Sequence, residues 1–457
     1  MIGFSAVALA LSTGLTYYVA PAPVGSMAGN GSWEQPWSDI QHGLDALRAG
    51  DTLVLRDGIY RPTQRLEVRG SGQVGAWITI RGEDGAMPII EAGRIRPKDI
   101  GEASGTGVIT IRGPSYVRVE GLRIQNSHQA GIWVERPSTH IDILNCRIDR
   151  TFAPAIGCWN VEDLRVLRCE VTEANTNRMR LYGSRSREAP HEAISIAGCD
   201  RFEVAYCHVH HCEKEGIDVK EVSRNGTVHH NVVHDLRRQG LYADAWFGLL
   251  ENVVFHHNVV SYSEWGLVIG VEGRASELRN VSAHHNIIFR NRASGIYLGT
   301  WGGDGPRSGI TIYNNTLFGN GHADHWAGPT GNIDLRSRNT TDLVVANNIC
   351  FGGGAFEIAT AIPEDQWRSR NLVVRDNLVG SDRDRTQEGI DGYGRLTLML
   401  GSPVFFGDPQ FVDPQEGNFA LQNGSPGLAS GWVNGRLPAY QGGYLGAIAP
   451  KDVERGP

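Results

Sequence analysis

The chain has 457 residues, 58 of them glycine, and a formal net charge of −7. That acidic balance argues against nucleic acid or an anionic membrane surface as a partner, and no run is long and apolar enough to span a bilayer. Seven cysteines, an odd number, read as packed reduced thiols rather than a disulfide framework.

Residues 1–15 are apolar but lack a basic leading segment. They read as the remnant of a secretion signal, which points to a secreted or periplasmic protein. TYYVA at 16–20 reads as a first strand, followed by a Gly/Pro/Ser-rich loop over 21–36. SDIQHGLDALRAG then predicts a short amphipathic helix. Ser38 is its cap, Ile40, Leu44 and Leu47 share a face, and Gly50 ends it. Such a helix would close the open end of a solenoid, whose last coil otherwise exposes core and strand edge.

A repeat governs the chain beyond this helix. Asn231, Asn258, Asn286, Asn315, Asn348 and Asn377 recur 27 to 33 residues apart in near-identical settings such as VHHNVV, FHHNVV and AHHNII. Cys146, Cys169 and Cys207 hold the same slot upstream. A second series, including GIWVE, AISIA, GIDVK, GLYAD and GIYLG, runs in phase with the first. Each unit holds short strands with alternating apolar residues, too small to bury its own apolar face, so the units must stack. The predicted fold is all-β: a right-handed parallel β-helix with a short N-terminal capping helix. The solenoid would span 16–380, with 381–457 as C-terminal cap and irregular tail, and the protein is expected to be a monomer. The Cys/Asn slot becomes an internal ladder of stacked amides. Two insertions swell the rhythm: a basic loop with Arg178, Arg180, Arg185 and Arg187, and residues 319–332, which carry Trp326. The opening TYYVAP with DTLVLRDGIY, and the closing DPQFVDP…GSPG, are similar to those of bacterial pectate-lyase-like β-helix proteins. That resemblance identifies a scaffold, not a reaction.

Alternation sets which side chains face out. With Ile217 and Val219 inside, Asp218 and Lys220 point out; with Leu241 and Ala243 inside, so do Tyr242 and Asp244. Stacked strands lie ~4.8 Å apart, which makes Lys220 and Asp244 neighbours and sets Asp218 one step diagonal to Asp244. One outward column reads Trp133, Ser195, Asp218, Tyr242, Val268, Tyr297, Asp334. The other reads Glu135, Trp159, Lys220, Asp244, Gly270, Gly299, Arg336. Charge at the middle, aromatics along the length and room at the two glycines suit a polysaccharide or oligosaccharide cleft. The expected substrate contacts are Trp133, Trp159, Tyr242, Trp246, Tyr297, Trp301 and Arg336, with Arg178 and Arg180 from the basic loop. The blander reading is that solenoid surfaces carry aromatics that wedge loops.

Lys220 has two readings: a cation that relieves the surrounding acids, or a proton-abstracting base. The run Glu213-x-Glu215-x-Ile217-x-x-Lys220 resembles the Glu-x-Glu…Lys signature of the chondroitinase B and alginate lyase family. That resemblance implies β-elimination on a uronic-acid chain, with Glu213 and Glu215 holding Ca²⁺ and Lys220 as base. The family also carries an arginine one coil later, where this chain has Asp244, so Arg336 or the 178–187 loop would have to substitute. The alternative is a glycoside hydrolase using Asp218 and Asp244 as a carboxylate pair, an arrangement similar to that of β-helix hydrolases. A third reading is a non-catalytic carbohydrate-binding or adhesin β-helix. His191 is a candidate catalytic helper. His230, His257 and His285, each preceded by a second histidine, form either a packed stack or a transition-metal site.

Overall fold

The computed structural model describes residues 14–181, 188–322, 325–326, 328–380, 397–398, 403–429, 431–440 and 442–448. Arg185 and Arg187 and most of the apolar N-terminus lie outside them. No helix among the described residues is long and apolar enough to cross a membrane.

Each coil visits three parallel sheets in turn, of 13, 12 and 13 strands. One coil runs through Ala130–Glu135, Thr139–Leu144 and Arg147–Thr151, and the chain returns at Ile156–Trp159 to pair Ile132 with Ile156. Val, Ile and Leu at alternate positions point inward and merge into one continuous core. The chain is thus a right-handed parallel β-helix, as its repeat predicts.

The corner before the ladder slot repeats a left-handed turn. Asn145, Arg168, Tyr206, His230, His257, His285, Asn314 and Asn347 all have φ between 49° and 59°. Polar residues that tolerate this conformation are selected there. The next side chain then turns inward, where Asn231 Nδ2 donates to Asn258 Oδ1 at 2.9 Å and to the Val204 carbonyl at 3.0 Å. The same bonds recur through Asn286, Asn315, Asn348 and Asn377. All seven cysteines are buried as reduced thiols, outside any disulfide.

The corner also accounts for the paired histidines. His230, His257 and His285 fill it, and their rings stack at 4.9 and 5.1 Å. His229, His256 and His284 stack beside them at 4.7 and 5.1 Å, within 5° of parallel, at the spacing of adjacent strands. Burial drives His256 down to about 3 and His284 to about 2, so these rings pack as neutral bodies.

The N-terminal helix forms at Ile40–Ala46 and buries Ile40 and Leu44 against the first coils. Its cap is Asp39 rather than Ser38: the Asp39 carboxylate accepts from the His42 N–H, and Leu47, already extended, ends the helix before Gly50. An anionic cap suits the helix N-terminus better than a hydroxyl one residue earlier. The C-terminal segment does more than cap. Val404–Phe406 adds one strand beyond Asn377–Val379. The chain then doubles back along the outside, packing Phe411, Phe419 and Leu445 on Phe289 and Ile349, and Leu437 and Tyr440 on Tyr313 and Val344.

Gly226 stacks between Phe202 and Val253. A Cβ there would lie 2.1 Å from the Phe202 ring. Gly226→Ala is expected to lower stability by about 1–3 kcal/mol from overpacking, read as a drop in melting temperature that Phe202→Leu in the same chain largely reverses.

Candidate active site

Both outward columns form in the expected register. Ser195, Asp218, Tyr242, Val268, Tyr297 and Asp334 are successive partners, and Lys220 pairs directly with Asp244 and then Gly270. Upstream, Gly157 stands between Trp133 and Ser195, and Ala197 between Trp159 and Lys220. The columns are not an open wall, however. Asp218 is 2% exposed and Asp244 6%, so the acids form the floor of a recess.

The residue that organises the floor is Glu192, on the turn entering the Ile194–Ala197 strand. Its carboxylate lies 3.0 Å from Lys220 Nζ and accepts from the Ser195 hydroxyl at 2.6 Å, with Lys214 Nζ at 3.9 Å. Burial opposes ionisation of Glu192, yet Lys220, Lys214 and the Ser195 hydrogen bond bring it down to about 2. Burial alone would lower the Lys220 ammonium; Glu192 and Asp218 outweigh that and hold it above the ordinary lysine range. Lys220 is therefore a cation in a buried ion pair, which conflicts with its expected role as proton-abstracting base. Its ammonium also lies 5.7 Å from the Trp159 ring centre.

The neighbouring acids behave oppositely. Burial, reinforced by Glu192, pushes Asp218 well above the carboxylate range, and burial with Glu272 pushes Asp244 up to about 9. Trp246 Nε1 donates to Asp244 Oδ2 at 2.8 Å. Asp244 Oδ1, Asp218 Oδ1, Glu215 Oε2 and Trp159 Nε1 are buried with no hydrogen-bond partner among the described residues. Three of these residues, Asp218, Asp244 and Trp159, border Lys220, which is unusual because buried polar groups are otherwise paired.

A cleft of about 740 Å³ opens beside this floor. Glu215, Gln239 and Glu272 form its near side; Arg237, Arg238 and Arg292 line it with Trp265, Trp301 and Trp326. The insertion at 319–332 delivers Trp326, 64% exposed, and His325, whose ring abuts Trp265 and whose Nε2 lies 2.8 Å from Glu264. Tyr242 hydroxyl donates to Glu272, linking floor and cleft.

Several expected contacts pack instead. Trp133 is buried, lies over Gly157 and stacks on Trp159 at 5.9 Å. Tyr297 is fully buried under Trp265, with ring centres 4.3 Å apart. Arg336, just past the strand Ile333–Leu335, is buried and paired at 3.1 Å with Asp334, two residues back. The glycines leave no room for a ligand: a Cβ at Gly270 would meet the Tyr242 hydroxyl at 2.7 Å, and one at Gly299 the Tyr297 ring at 2.7 Å. Arg178 pairs with Glu173, and Arg180 lies over Phe152, on the flank of the coil. His191 is neutral, lowered to about 4 by burial; its Nε2 lies 3.0 Å from the Ser104 carbonyl and its ring against Trp159. It packs beside the Glu192 turn. Trp159, Tyr242, Trp246 and Trp301 do border the floor or cleft.

Glu213 and Glu215 do not fit a calcium seat. Glu213 accepts from Thr176 and Asn177, while Glu215 Oε1 is ion-paired with Arg238 at 3.1 Å and its Oε2 lies 3.9 Å from Lys214 Nζ, so the chain's own cations already flank the second carboxylate.

The sequence carried a signal for Glu192. HEAISIA, KEGIDVK and RQGLYAD align so that Glu192, Glu215 and Gln239 occupy one stacked slot, just before each strand. Glu272 had no such signal.

Comparison with known proteins agrees with the fold. The chain matches the family model of the Pel9A-like right-handed β-helix region over residues 17–169, and that of the right-handed β-helix region over residues 108–280. Both matched regions lie in the right-handed β-helix, and the resemblance they support is to the pectate-lyase-like β-helix superfamily. It is 23% identical over 453 residues to the Bacillus subtilis (strain 168) protein YwoF, covering 90% of this chain and 92% of that one. Among solved structures it is similar to pectate lyase Pel9A (TM-score 0.54, 15% identity, 96% of both chains) and to XylC in complex with xylose (TM-score 0.51, 11% identity, 87% of both chains).

Proposed function

We propose that the protein is a carbohydrate-active enzyme that hydrolyses a glycosidic bond, with Asp218 and Asp244 as its carboxyl pair and an acidic glycan as substrate. The unpartnered, buried carboxyl oxygens of this pair carry the reading. A carboxyl group held protonated in an apolar recess is the general acid that glycoside cleavage requires. The protons belong to the coupled pair rather than to either residue. Lys220, beside both, favours ionisation of one of them, and Glu192 holds that lysine in place. The cleft arginines suit the carboxylates of uronic acids, and the tryptophans suit the apolar faces of sugar rings. XylC, the relative solved with xylose, is consistent with sugar binding on this scaffold.

A second reading is β-elimination on a uronate chain. The arginine-lined cleft and the similarity to pectate lyase Pel9A favour it; the ion-paired state of Lys220 opposes it. The test is incubation with a panel of neutral and uronate-bearing polysaccharides, with and without a chelator. New reducing ends without the ultraviolet absorbance of unsaturated uronates, unaffected by chelator, are expected. Appearance of that absorbance selects elimination. Binding without any cleavage leaves a carbohydrate-binding β-helix.

A further inference from the structure

On a different sheet from the charged floor, three histidines converge where no packing demand calls for them. The strand His208–His210 buries Val209 and turns both histidines outward. In the next coil, His234 is the direct strand partner of His210. One ring nitrogen from each of His208, His210 and His234 lies within 4.8 Å of the others. His208 Nε2 and His234 Nε2 are 2.8 Å apart. On the far side of the His234 ring, Nδ1 lies 2.6 Å from the Asp235 carboxylate. That carboxylate accepts a hydrogen bond from Nδ1–H, which fixes the tautomer with its lone pair on Nε2, facing His208. Among the described residues His210 Nε2 is buried without a hydrogen-bond partner, 3.6 Å from Glu170 Oε1.

We propose that His208, His210 and His234 form a seat for one divalent transition-metal ion, with zinc as the best match, and that Asp235 is the positioning residue for His234. Three imidazoles with one open position are a known zinc ligand set. Zn–N bonds of about 2.0–2.1 Å hold neighbouring nitrogens in tetrahedral geometry roughly 3.3 Å apart. The 2.8 Å pair therefore needs to open by only about half an ångström. The fourth position would be left to water, with Glu170, ion-paired with Arg147 at 3.2 Å, on the His210 side. The ion would tie the 208 coil to the 234 coil. The corner stacks compete poorly, because His229 Nε2 already faces Glu203 at 3.0 Å.

The test uses the whole chain, stripped with chelator and dialysed against zinc. One equivalent should bind and raise the melting temperature. His234→Gln and His208→Gln should each abolish both effects while leaving the metal-free melting temperature near that of the parent. Asp235→Asn should weaken binding about 10- to 100-fold, and His229→Gln should leave it unchanged. Binding below one equivalent, or binding that survives both His234→Gln and His208→Gln, overturns the proposal. So does loss of binding on His229→Gln. If one glutamine variant does not fold, the other decides.

Discussion

Asp244→Asn is expected to lower kcat/KM on an accepted glycan by about 10²- to 10⁴-fold, the usual worth of a positioned acid or base, and to raise the melting temperature at neutral pH. Both effects have one cause. In the folded chain the Asp244 carboxyl keeps its proton up to about 9, because burial and Glu272 disfavour the anion. Unfolded, it releases the proton near 3.9. Between those values the unfolded state binds fewer protons, so this group's contribution to stability is full below about 3.9 and falls as pH rises toward 9. Asparagine keeps an oxygen for the Trp246 N–H and has no proton to lose, so its stabilising effect should grow from about pH 4 to about pH 8. Calorimetry across that range, beside initial rates, measures both. Activity retained in Asp244→Asn removes Asp244 from the chemistry. A melting point that falls at the alkaline end of the range removes the buried neutral acid.

Asn286→Ala should be the most damaging small change in the scaffold. Asn286 Nδ2 donates to the Phe255 carbonyl at 2.9 Å and to Asn315 Oδ1 at 3.0 Å, and Asn286 Oδ1 accepts from the backbone and side chain of Asn258. Truncation orphans a carbonyl, a backbone N–H and a side-chain N–H in a fully buried ladder. At about 1–3 kcal/mol for each of the three groups left unpaired, the loss should be at least about 3 kcal/mol. The urea midpoint of Asn286→Ala, compared with that of a substitution at an exposed corner such as His230→Asn, reads it. A shift under about 1 kcal/mol would mean that water or a slipped coil replaces the amide.

Much of this molecule could be read along the chain. The coil period, the ladder of Asn231 to Asn377 and the outward columns through Lys220 and Asp244 all follow from alternation repeated many times over. Repetition averages out local exceptions such as Gly157 and Ala197. The helix cap missed by one residue because Ser38 and Asp39 are both good caps and tertiary contacts set where the first turn begins. Arg336 looked like a ligand contact, but alternation puts Asp334 on the same face and in reach of it. Gly270 and Gly299 looked like space for a substrate; they are small because the Tyr242 and Tyr297 rings lie across them.

By itself the sequence determined the coils, their register and which side chains leave the core, since each depends on neighbours one strand-step or one period away. Only the tertiary structure decided that Lys220 is claimed by Glu192, that Asp218 and Asp244 are buried and so resist ionisation, and that the cleft opens beside them, lined by Trp301 and Trp326. Burial and charge pairing depend on what turns and insertions lay over the outer face. Those contacts join residues with no fixed spacing in the chain.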